Sequence, residues 1–244
     1  MSYEAVCFDL DNTLYPYPPC NEAGKRAALS AFREHGYEMD RETFDDLYTT
    51  ARQATKRETG GTAASHNRHL YFQRALRRHA DGHDAATALA LGDAYWEGYA
   101  SEMTLCDGVE RVFDALASAG THVAIVTNLT ARVQLQKLAR LGIDDRIDRL
   151  VTSEEVGREK PSALPFTAAL AAFDCRPSEA LMVGDNVGAD VGGANAVGMD
   201  TALFDAGATA VDGDGDPEAT DDRQGIRQPD YRLDAFADLT EVAL

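Results

Sequence analysis

The segment Ala5-Val6-Cys7-Phe8-Asp9-Leu10-Asp11-Asn12-Thr13 decides the fold of this chain of 244 residues. Four uninterrupted apolar residues are followed directly by a pair of closely spaced aspartates. Short unbroken apolar runs are typical of strands that are buried on both faces of a parallel sheet. In open parallel sheets the functional side chains follow the carboxyl ends of the strands. The segment therefore predicts a buried strand that brings Asp9 and Asp11 to the edge of a sheet.

Two further apolar runs end in the same way. Residues 123–128 have the sequence VAIVTN, and residues 180–186 have the sequence ALMVGDN, with Asp190 beyond. Three parallel strands would thus bring four carboxylates, a threonine and an asparagine to one edge. Carboxylates packed this closely repel one another, so a cation is needed to hold them ionised. Ligation by oxygen alone favours Mg²⁺.

Four segments in this order resemble the haloacid dehalogenase (HAD) superfamily of phosphotransferases. They are DLDNT at 9–13, Thr127-Asn128, Lys160-Pro161 after a Gly-Arg-Glu lead-in, and GDNVGAD at 184–190. The pattern D-x-D-x-T alone recurs by chance, whereas four segments in order, each in its strand context, are specific. The resemblance covers the chain from Tyr3 to Leu244 except for an acidic stretch near 206–228.

The resemblance implies a role for each of these residues. Asp9 is the implied nucleophile, which would form an aspartyl-phosphate, and Asp11 is the implied general acid and base. The implied Mg²⁺ ligands are the side chain of Asp9, the backbone carbonyl of Asp11 and the side chain of Asp185, with Asp190 behind them as a partner of metal waters or of Lys160. The implied phosphate ligands are the Thr127 hydroxyl, the Asn128 backbone amide and the Lys160 cation.

Structural interpretations of the same residues stay open. An aspartate at a strand end often caps the next helix, and Thr127-Asn128 would suit the start of a helix over 130–141. Lys160 alone would suit a solvated loop. Tyr15 and Tyr17 fit either the fringe of a pocket or a packed core.

Strand and helix alternate along the second half of the chain, which predicts an α/β fold with a doubly wound parallel sheet. After the strand at the start of the chain, the predicted elements are helix 109–119, strand 122–127, helix 130–141, strand 148–152, helix 162–173, strand 180–184, helix 187–197, strand 200–204, and a last strand and short helix within 230–244. Glycines just past the helices, such as Gly120 and Gly142, support the helix ends.

Positions 16–105 show helical periodicity without buried strand runs, which predicts a helical insertion. The resemblance implies that this insertion is a cap over the active site, between core segments 1–15 and 106–244. Within it, the cationic patch His66, Arg68 and His69 fits either a substrate contact or exposed residues at a helix start.

Residues 206–228, rich in Gly and Asp, predict an exposed acidic loop within the core. Asp212, Asp214 and Asp216 alternate with glycines there but lack the ligand spacing and the terminal Glu of a calcium loop.

Composition excludes several classes of partner. A net charge of −18 argues against nucleic acid and against an anionic membrane. No apolar run approaches the ~20 residues of a membrane span, and the first strand begins by Ala5, which leaves no room for a signal peptide. The four cysteines show no C-x-x-C spacing, which favours reduced thiols. We expect a cytoplasmic protein, monomeric or homodimeric.

The function predicted from these observations is a Mg²⁺-dependent phosphatase of a small phosphorylated metabolite. One alternative is a 2-haloacid dehalogenase, which would use Asp9 to attack carbon and usually carries a non-acidic residue where this chain has Asp11. Another is a non-catalytic binding protein on the same fold, which would be expected to lack part of the catalytic set. The sequence names no substrate.

The choice of charged residues predicts adaptation to molar salt, as in a halophilic archaeon. The chain contains 41 acidic and 23 basic residues, and only 4 of the basic ones are lysine. High charge keeps a protein soluble in concentrated salt but destabilises the compact state through self-repulsion when the salt is removed.

We expect the melting temperature to rise steeply between low salt and about 1 M KCl, because the Debye length falls to ~3 Å at that concentration. Activity should survive, since Mg²⁺ and Lys160 act at contact distance and are screened much less. Thermal unfolding across a KCl series measures the effect. A melting temperature that does not depend on KCl would reject the adaptation to salt.

Overall fold

The computed structural model describes residues 2–80, 82–204 and 227–244. The chain forms two compact units, one made of Met1–Pro16 and Thr104–Leu244 and the other of Tyr17–Met103. The boundaries expected from the sequence, at 15 and 106, lie within two residues of these. Residues 206–226 of the loop predicted at 206–228 lie outside the described residues. The three aspartates considered for calcium lie in the same part.

The unit Tyr17–Met103 is helical, as its periodicity indicates. Its four long helices are α1 (Tyr17–Glu34), α2 (Arg41–Thr59), α3 (Arg68–His79) and α4 (Ala85–Ser101). Side chains of Asp40, Asn67 and Asp84 accept hydrogen bonds from backbone amides in the first turns of α2, α3 and α4, which satisfies donors that a helix start leaves unpaired. Helices α1 and α4 pack closely, since a Cβ at Gly24 would lie 2.8 Å from the Tyr95 ring.

The other unit contains a six-stranded sheet in which every pairing is parallel. The strands are β1 (Ala5–Phe8), β2 (His122–Thr127), β3 (Arg149–Thr152), β4 (Ala180–Gly184), β5 (Asp200–Phe204) and β6 (Tyr231–Leu233). Their order is β3-β2-β1-β4-β5-β6. The prediction of a doubly wound parallel sheet is confirmed. The strand order reverses between β1 and β4, and such a switch point is where open sheets bind ligands.

Helices flank this sheet in the sequence positions that the alternation predicts. They are α5 (Val109–Ala119), α6 (Ala131–Leu141), α7 (Ser153–Val156), α8 (Ala163–Phe173), α9 (Gly192–Val197) and α10 (Leu239–Ala243). Gly120 and Gly142 follow α5 and α6 with φ of 75° and 68°, a conformation that costs a glycine little. Among the described residues, no helix has the length and apolar content needed to cross a bilayer.

The register of the strands aligns their carboxyl ends. Phe8 of β1 lies opposite Ile125 of β2 and Val183 of β4. The backbone amide of Asp9 donates to the carbonyl oxygen of Val183 at 2.9 Å, which extends the ladder by one residue. The polar residues that follow β1, β2 and β4 therefore begin at nearly the same level of the sheet.

The predicted helix 187–197 differs from a regular α-helix in its first part, because Val187–Val191 form a wider, π-helical turn before α9 begins. The Asn186 side chain accepts hydrogen bonds from the amides of the second and third residues of the turn, at 2.9 and 2.8 Å. The Asn186 amide in turn donates to Asp190 Oδ2 at 3.0 Å. These bonds fold Asp190 back onto Gly184, where a Cβ would lie 2.3 Å from its carboxylate. Only glycine leaves room for this approach.

The first turn of α9 contains adjacent glycines in different surroundings, which allows a matched test of packing. A Cβ at Gly193 would lie 2.5 Å from the Phe166 ring and 3.0 Å from the Pro161 Cα. A Cβ at Gly192 would have no neighbour closer than 3.4 Å. We expect Gly193→Ala to lower the free energy of unfolding by about 1–3 kcal/mol through overpacking, which is several degrees of melting temperature.

The control is Gly192→Ala, which adds the same methyl group one residue earlier and gains helix propensity. Its melting temperature should equal or exceed that of the wild type in the same thermal scan. Equal stability of the two variants would contradict the close approach of α9 to Phe166.

Candidate active site

Three carboxylates meet just beyond the ends of β1 and β4. Asp9 follows β1, Asp185 follows β4, and Asp190 lies in the π-helical turn. Each offers one oxygen, and these three oxygens lie within 4.8 Å of one another. Asp9 is 8% exposed and Asp190 1% exposed, so the cluster is largely removed from water.

Lys160 provides the positive charge of this cluster. Its Nζ donates to Asp9 Oδ1 at 2.6 Å and to the Val126 carbonyl at 2.6 Å, and it forms an ion pair with Asp190 at 2.7 Å. The Lys160 backbone amide donates to Asn128 Oδ1 at 2.8 Å, and Asn128 Nδ2 donates back to the Lys160 carbonyl at 3.3 Å. Lys160 is thus a buried residue held at both its backbone and its ammonium group, and not a solvated loop residue.

The net charge of the cluster is negative. Three carboxylates and one ammonium leave a formal charge of −2 when all are ionised. Burial raises the pKa of Asp9 to about 7 although Lys160 opposes the shift. Burial, together with Asp9 and Asp190, raises the pKa of Asp185 to about 8. Burial lowers the pKa of Lys160, but Asp190 and Asp9 outweigh it and hold that pKa above its ordinary value.

The donor set suits a divalent cation. The three converging groups are carboxylates, which hard cations such as Mg²⁺ prefer, and the charge of −2 matches one such ion. One oxygen of Asp190 lies within the same 4.8 Å limit of the Asp9 and Asp185 oxygens. The sequence assigned the third ligand to the Asp11 carbonyl and a supporting role to Asp190, and both assignments stay predictions.

Thr127 is supported by a residue that the sequence analysis did not identify. Gln134 of α6 is fully buried, and its Nε2 donates to Thr127 Oγ1 at 2.6 Å. A threonine hydroxyl that accepts this bond keeps its own proton for another acceptor. The arrangement therefore suits a hydroxyl that donates to an anionic oxygen of a ligand.

Asp11 is not among the three carboxylates whose oxygens lie within 4.8 Å of one another, and it contacts a different cation. Lys137 of α6 is 3% exposed, and its Nζ donates to both Asp11 oxygens at 2.6 and 2.9 Å. The hydroxyl of Tyr15, which is fully buried, also donates to Asp11 Oδ1. The sequence left Tyr15 between pocket and core and did not single out Lys137. The only signal for Lys137 was the rarity of lysine in the chain.

The cationic patch of the helical unit is only partly exposed. Arg68 is 4% exposed, donates to the His66 carbonyl at 2.8 Å and donates to the Tyr17 hydroxyl at 3.0 Å. Its guanidinium lies between 5.2 and 5.3 Å from the ring centroids of Tyr71, Tyr95 and Trp96. Cation–π contacts of this kind stabilise a desolvated arginine. The interpretation of Arg68 as an exposed residue at a helix start is wrong.

Comparison with known proteins places this chain in a family. A profile described as haloacid dehalogenase-like hydrolase matches residues 6–204. The chain is 50% identical over 239 residues to a ribulose-1,5-bisphosphate 5-phosphatase of Halopiger xanaduensis, with 98% of each chain covered. It is 33% identical over 239 residues to a glyceraldehyde 3-phosphate phosphatase of Methanopyrus kandleri, with 98% of this chain and 96% of the relative covered.

The fold is also shared with solved structures. A HAD-hydrolase of Bacillus subtilis, solved bound to magnesium, superposes with a TM-score of 0.71 at 21% identity. The match covers 100% of this chain and 99% of the other.

The raised pKa values of Asp9 and Asp185 predict how the protein responds to pH in EDTA. Their pKa values in the folded chain are about 7 and about 8, against about 3.9 in an unfolded chain. Between these values the folded state binds more protons than the unfolded state, so the free energy of unfolding must fall as the pH rises. We expect this loss between about pH 5 and about pH 8, with a plateau above, and a one-unit pKa difference is equivalent to about 1.4 kcal/mol.

Thermal unfolding in EDTA across this pH range measures the loss. Asp185→Asn removes one of the two titrating groups and should make the melting temperature depend less on pH. Asp114→Asn makes the same chemical change at an exposed position of α5 and should leave the slope as in the wild type. A melting temperature that rises between about pH 6 and about pH 8 would contradict the raised pKa values.

Proposed function

This chain belongs to the haloacid dehalogenase-like hydrolase family and is a phosphatase of small phosphorylated metabolites, and we propose that it works through an aspartyl-phosphate on Asp9 with Mg²⁺ as its cofactor. The observation that carries the proposal is the buried cluster of Asp9, Asp185 and Asp190 around Lys160. A nucleophile, an unbalanced charge of −2 and a fixed cation occupy one end of the sheet.

The first step transfers the phosphoryl group to the protein. A carboxylate oxygen of Asp9 attacks phosphorus, and the bond between phosphorus and the ester oxygen breaks. Asp11 gives its proton to the departing alkoxide, which leaves as an alcohol. Burial raises the pKa of Asp9 although Lys160 opposes the shift. A cation held by the cluster would lower that pKa further, so that the attacking oxygen would be ionised near neutral pH.

The second step returns the protein to its starting state. Asp11, now a carboxylate, takes a proton from water, and the resulting hydroxide attacks phosphorus. The bond between phosphorus and Asp9 breaks, which releases inorganic phosphate. Lys160 stays at contact distance from Asp9 in both steps, and the Thr127 hydroxyl directed by Gln134 donates to a phosphoryl oxygen. The carboxylates of this cluster would hold Mg²⁺, which would neutralise the charge that builds on the phosphoryl oxygens.

We assign the substrate to the phosphorylated sugars. The relatives named above act on ribulose 1,5-bisphosphate and on glyceraldehyde 3-phosphate, and both compounds carry phosphate esters on small hydroxy-carbonyl chains. The 50% identity over nearly the whole chain favours a sugar bisphosphate. The helical unit has the role of a substrate-selecting cap in this proposal. The protein would act in the cytoplasm as a monomer or homodimer, without a nucleic-acid or membrane partner.

The alternatives raised by the sequence have less support. A 2-haloacid dehalogenase needs no general acid, whereas Asp11 of this chain is held by a dedicated buried lysine. A non-catalytic binding protein would not need the complete set of Asp9, Asp11, Lys160 and Asp185 that is present here.

The test is Asp9→Asn, which we expect to lower kcat by more than about 10³-fold, because an amide cannot form the aspartyl-phosphate. Phosphate release is measured with p-nitrophenyl phosphate, ribulose 1,5-bisphosphate and glyceraldehyde 3-phosphate in high KCl, with Mg²⁺ or with EDTA. Asp114→Asn is the matched control and should retain wild-type activity. Activity that persists in Asp9→Asn would overturn the assigned nucleophile.

Release of chloride from 2-chloropropionate in EDTA, without release of phosphate from any ester, would instead favour the dehalogenase. Phosphate release that is equal in Mg²⁺ and EDTA would remove the metal from the proposal but keep the nucleophile.

A further inference from the structure

The contact between Lys137 and Asp11 is not explained by the roles assigned so far. Lys137 lies 126 residues away from Asp11 in sequence, yet its ammonium reaches both carboxylate oxygens, at 2.6 and 2.9 Å. The side chain of Lys137 is 4% exposed and that of Asp11 is 25% exposed. The pair is therefore fixed from its buried side by lysine, while the carboxylate keeps an accessible side.

The distribution of lysine in this chain indicates that buried positions beside a carboxylate select lysine over arginine. Only 4 of the 23 basic residues are lysine, and among these Lys25, Lys137 and Lys160 are all buried and paired with carboxylates. Solvated positions are filled mostly by arginine. A compact ammonium on a flexible stem fits beside a buried carboxylate where a planar guanidinium would need more space.

The position of Lys137 on α6 connects two parts of the site. Gln134 and Lys137 are three residues apart and therefore lie on the same face of the helix. Gln134 donates to Thr127 at 2.6 Å, and Lys137 donates to Asp11. One turn of α6 thus fixes the last residue of β2 and a residue that follows β1.

The loop that contains Asp11 is closed on itself from the other side. Asn12, with φ of 64°, donates its backbone amide to the Tyr15 carbonyl at 3.0 Å. The turn brings the Tyr15 hydroxyl onto Asp11 Oδ1, and Lys137 Nζ lies 5.7 Å from the centroid of the Tyr15 ring. Asp11 is consequently oriented by two donors that approach from different elements.

We propose that Lys137, with Tyr15, is a positioning residue for proton transfer by Asp11 to the leaving group. This inference rests on the proposed function of Asp11 as general acid. An acid must lie within hydrogen-bond reach of the oxygen that it protonates, and a displacement of about 1 Å can lower a rate about 10²-fold. Without Lys137, the accessible carboxylate of Asp11 would lose one of the contacts that fix its direction.

The proposal makes the effect of Lys137 depend on the leaving group. An alkoxide leaves poorly unless it is protonated, whereas p-nitrophenolate is a stable anion and needs little help from an acid. If the loss of Lys137 only displaces Asp11, the loss of rate must therefore be larger for an alkyl phosphate than for p-nitrophenyl phosphate. A lysine with a merely structural role would affect both classes of ester equally.

The experiment compares Lys137→Met with the wild type on the sugar phosphate that the wild type hydrolyses fastest and on p-nitrophenyl phosphate. The measured quantity is kcat/KM, which reports the steps up to departure of the leaving group. We expect kcat/KM to fall about 10- to 100-fold for the sugar phosphate and less than about threefold for p-nitrophenyl phosphate, with the loss in kcat and not in KM. Equal losses on the two substrates would overturn the proposal.

A double-variant cycle tests whether Lys137 acts through Asp11. In an Asp11→Asn background, Lys137→Met should cause no further loss on either ester, because the group that it positions is gone. Independent, multiplicative losses would overturn the proposal. Lys25→Met removes another buried, paired lysine, in the helical unit, and should leave the ratio of the two kcat/KM values unchanged.

Tyr15→Phe keeps the test decisive if Lys137→Met does not fold. This variant removes the second donor to Asp11 with the ring retained, and its loss should also be larger for the sugar phosphate. Failure of this inference is distinguishable from failure of the proposed function. If Asp9→Asn is inactive and the losses in Lys137→Met and Tyr15→Phe do not depend on the leaving group, only the inference is refuted. If Asp9→Asn is active, the proposed function is refuted.

Discussion

Repulsion among buried carboxylates is the constraint on which this structure depends. Asp9, Asp185 and Asp190 have oxygens within 4.8 Å of one another in a largely buried position, with the single ammonium of Lys160 among them. Such a cluster is unfavourable for the isolated protein, because desolvation and like charge both oppose ionisation. A structure that retains it must gain through binding, since a divalent cation restores the balance of charge.

The parallel sheet explains how one short stretch of each strand can build the site. β1 and β4 are neighbours, and the strand order reverses between them. Such a switch point is where an open parallel sheet forms a crevice at the carboxyl ends of its strands. Asp9 and Asp185 follow these two strands. Gly184 lets Asp190 approach within a distance that any side chain would block, and the π-helical turn supplies the direction of that approach.

The strand ends could be predicted from the sequence, whereas the supporting contacts could not. Unbroken apolar runs identify buried strands, and the polar residue after each run then follows from sheet geometry, as for Asp9 and Asp185. Lys137 and Gln134 lie on an amphipathic helix, where a polar residue is by default assigned to the solvated face. Their burial is decided by the tertiary contact with Asp11 and Thr127. The burial of Arg68 was missed for the same reason, because the rings of Tyr95 and Trp96, which are distant in sequence, lie against it.

The site consists of two electrostatic parts with different requirements. The Asp11–Lys137 pair is balanced within the chain while Asp11 is ionised, so Asp11 depends on geometry more than on added charge. The cluster around Asp9 carries the excess of −2 and depends on an external cation. All of these contacts act at less than 3 Å, well inside the Debye length of ~8 Å at physiological ionic strength. The repulsion between charges on a strongly acidic surface can therefore change with the salt concentration of the surroundings, while the chemistry at the end of the sheet stays the same.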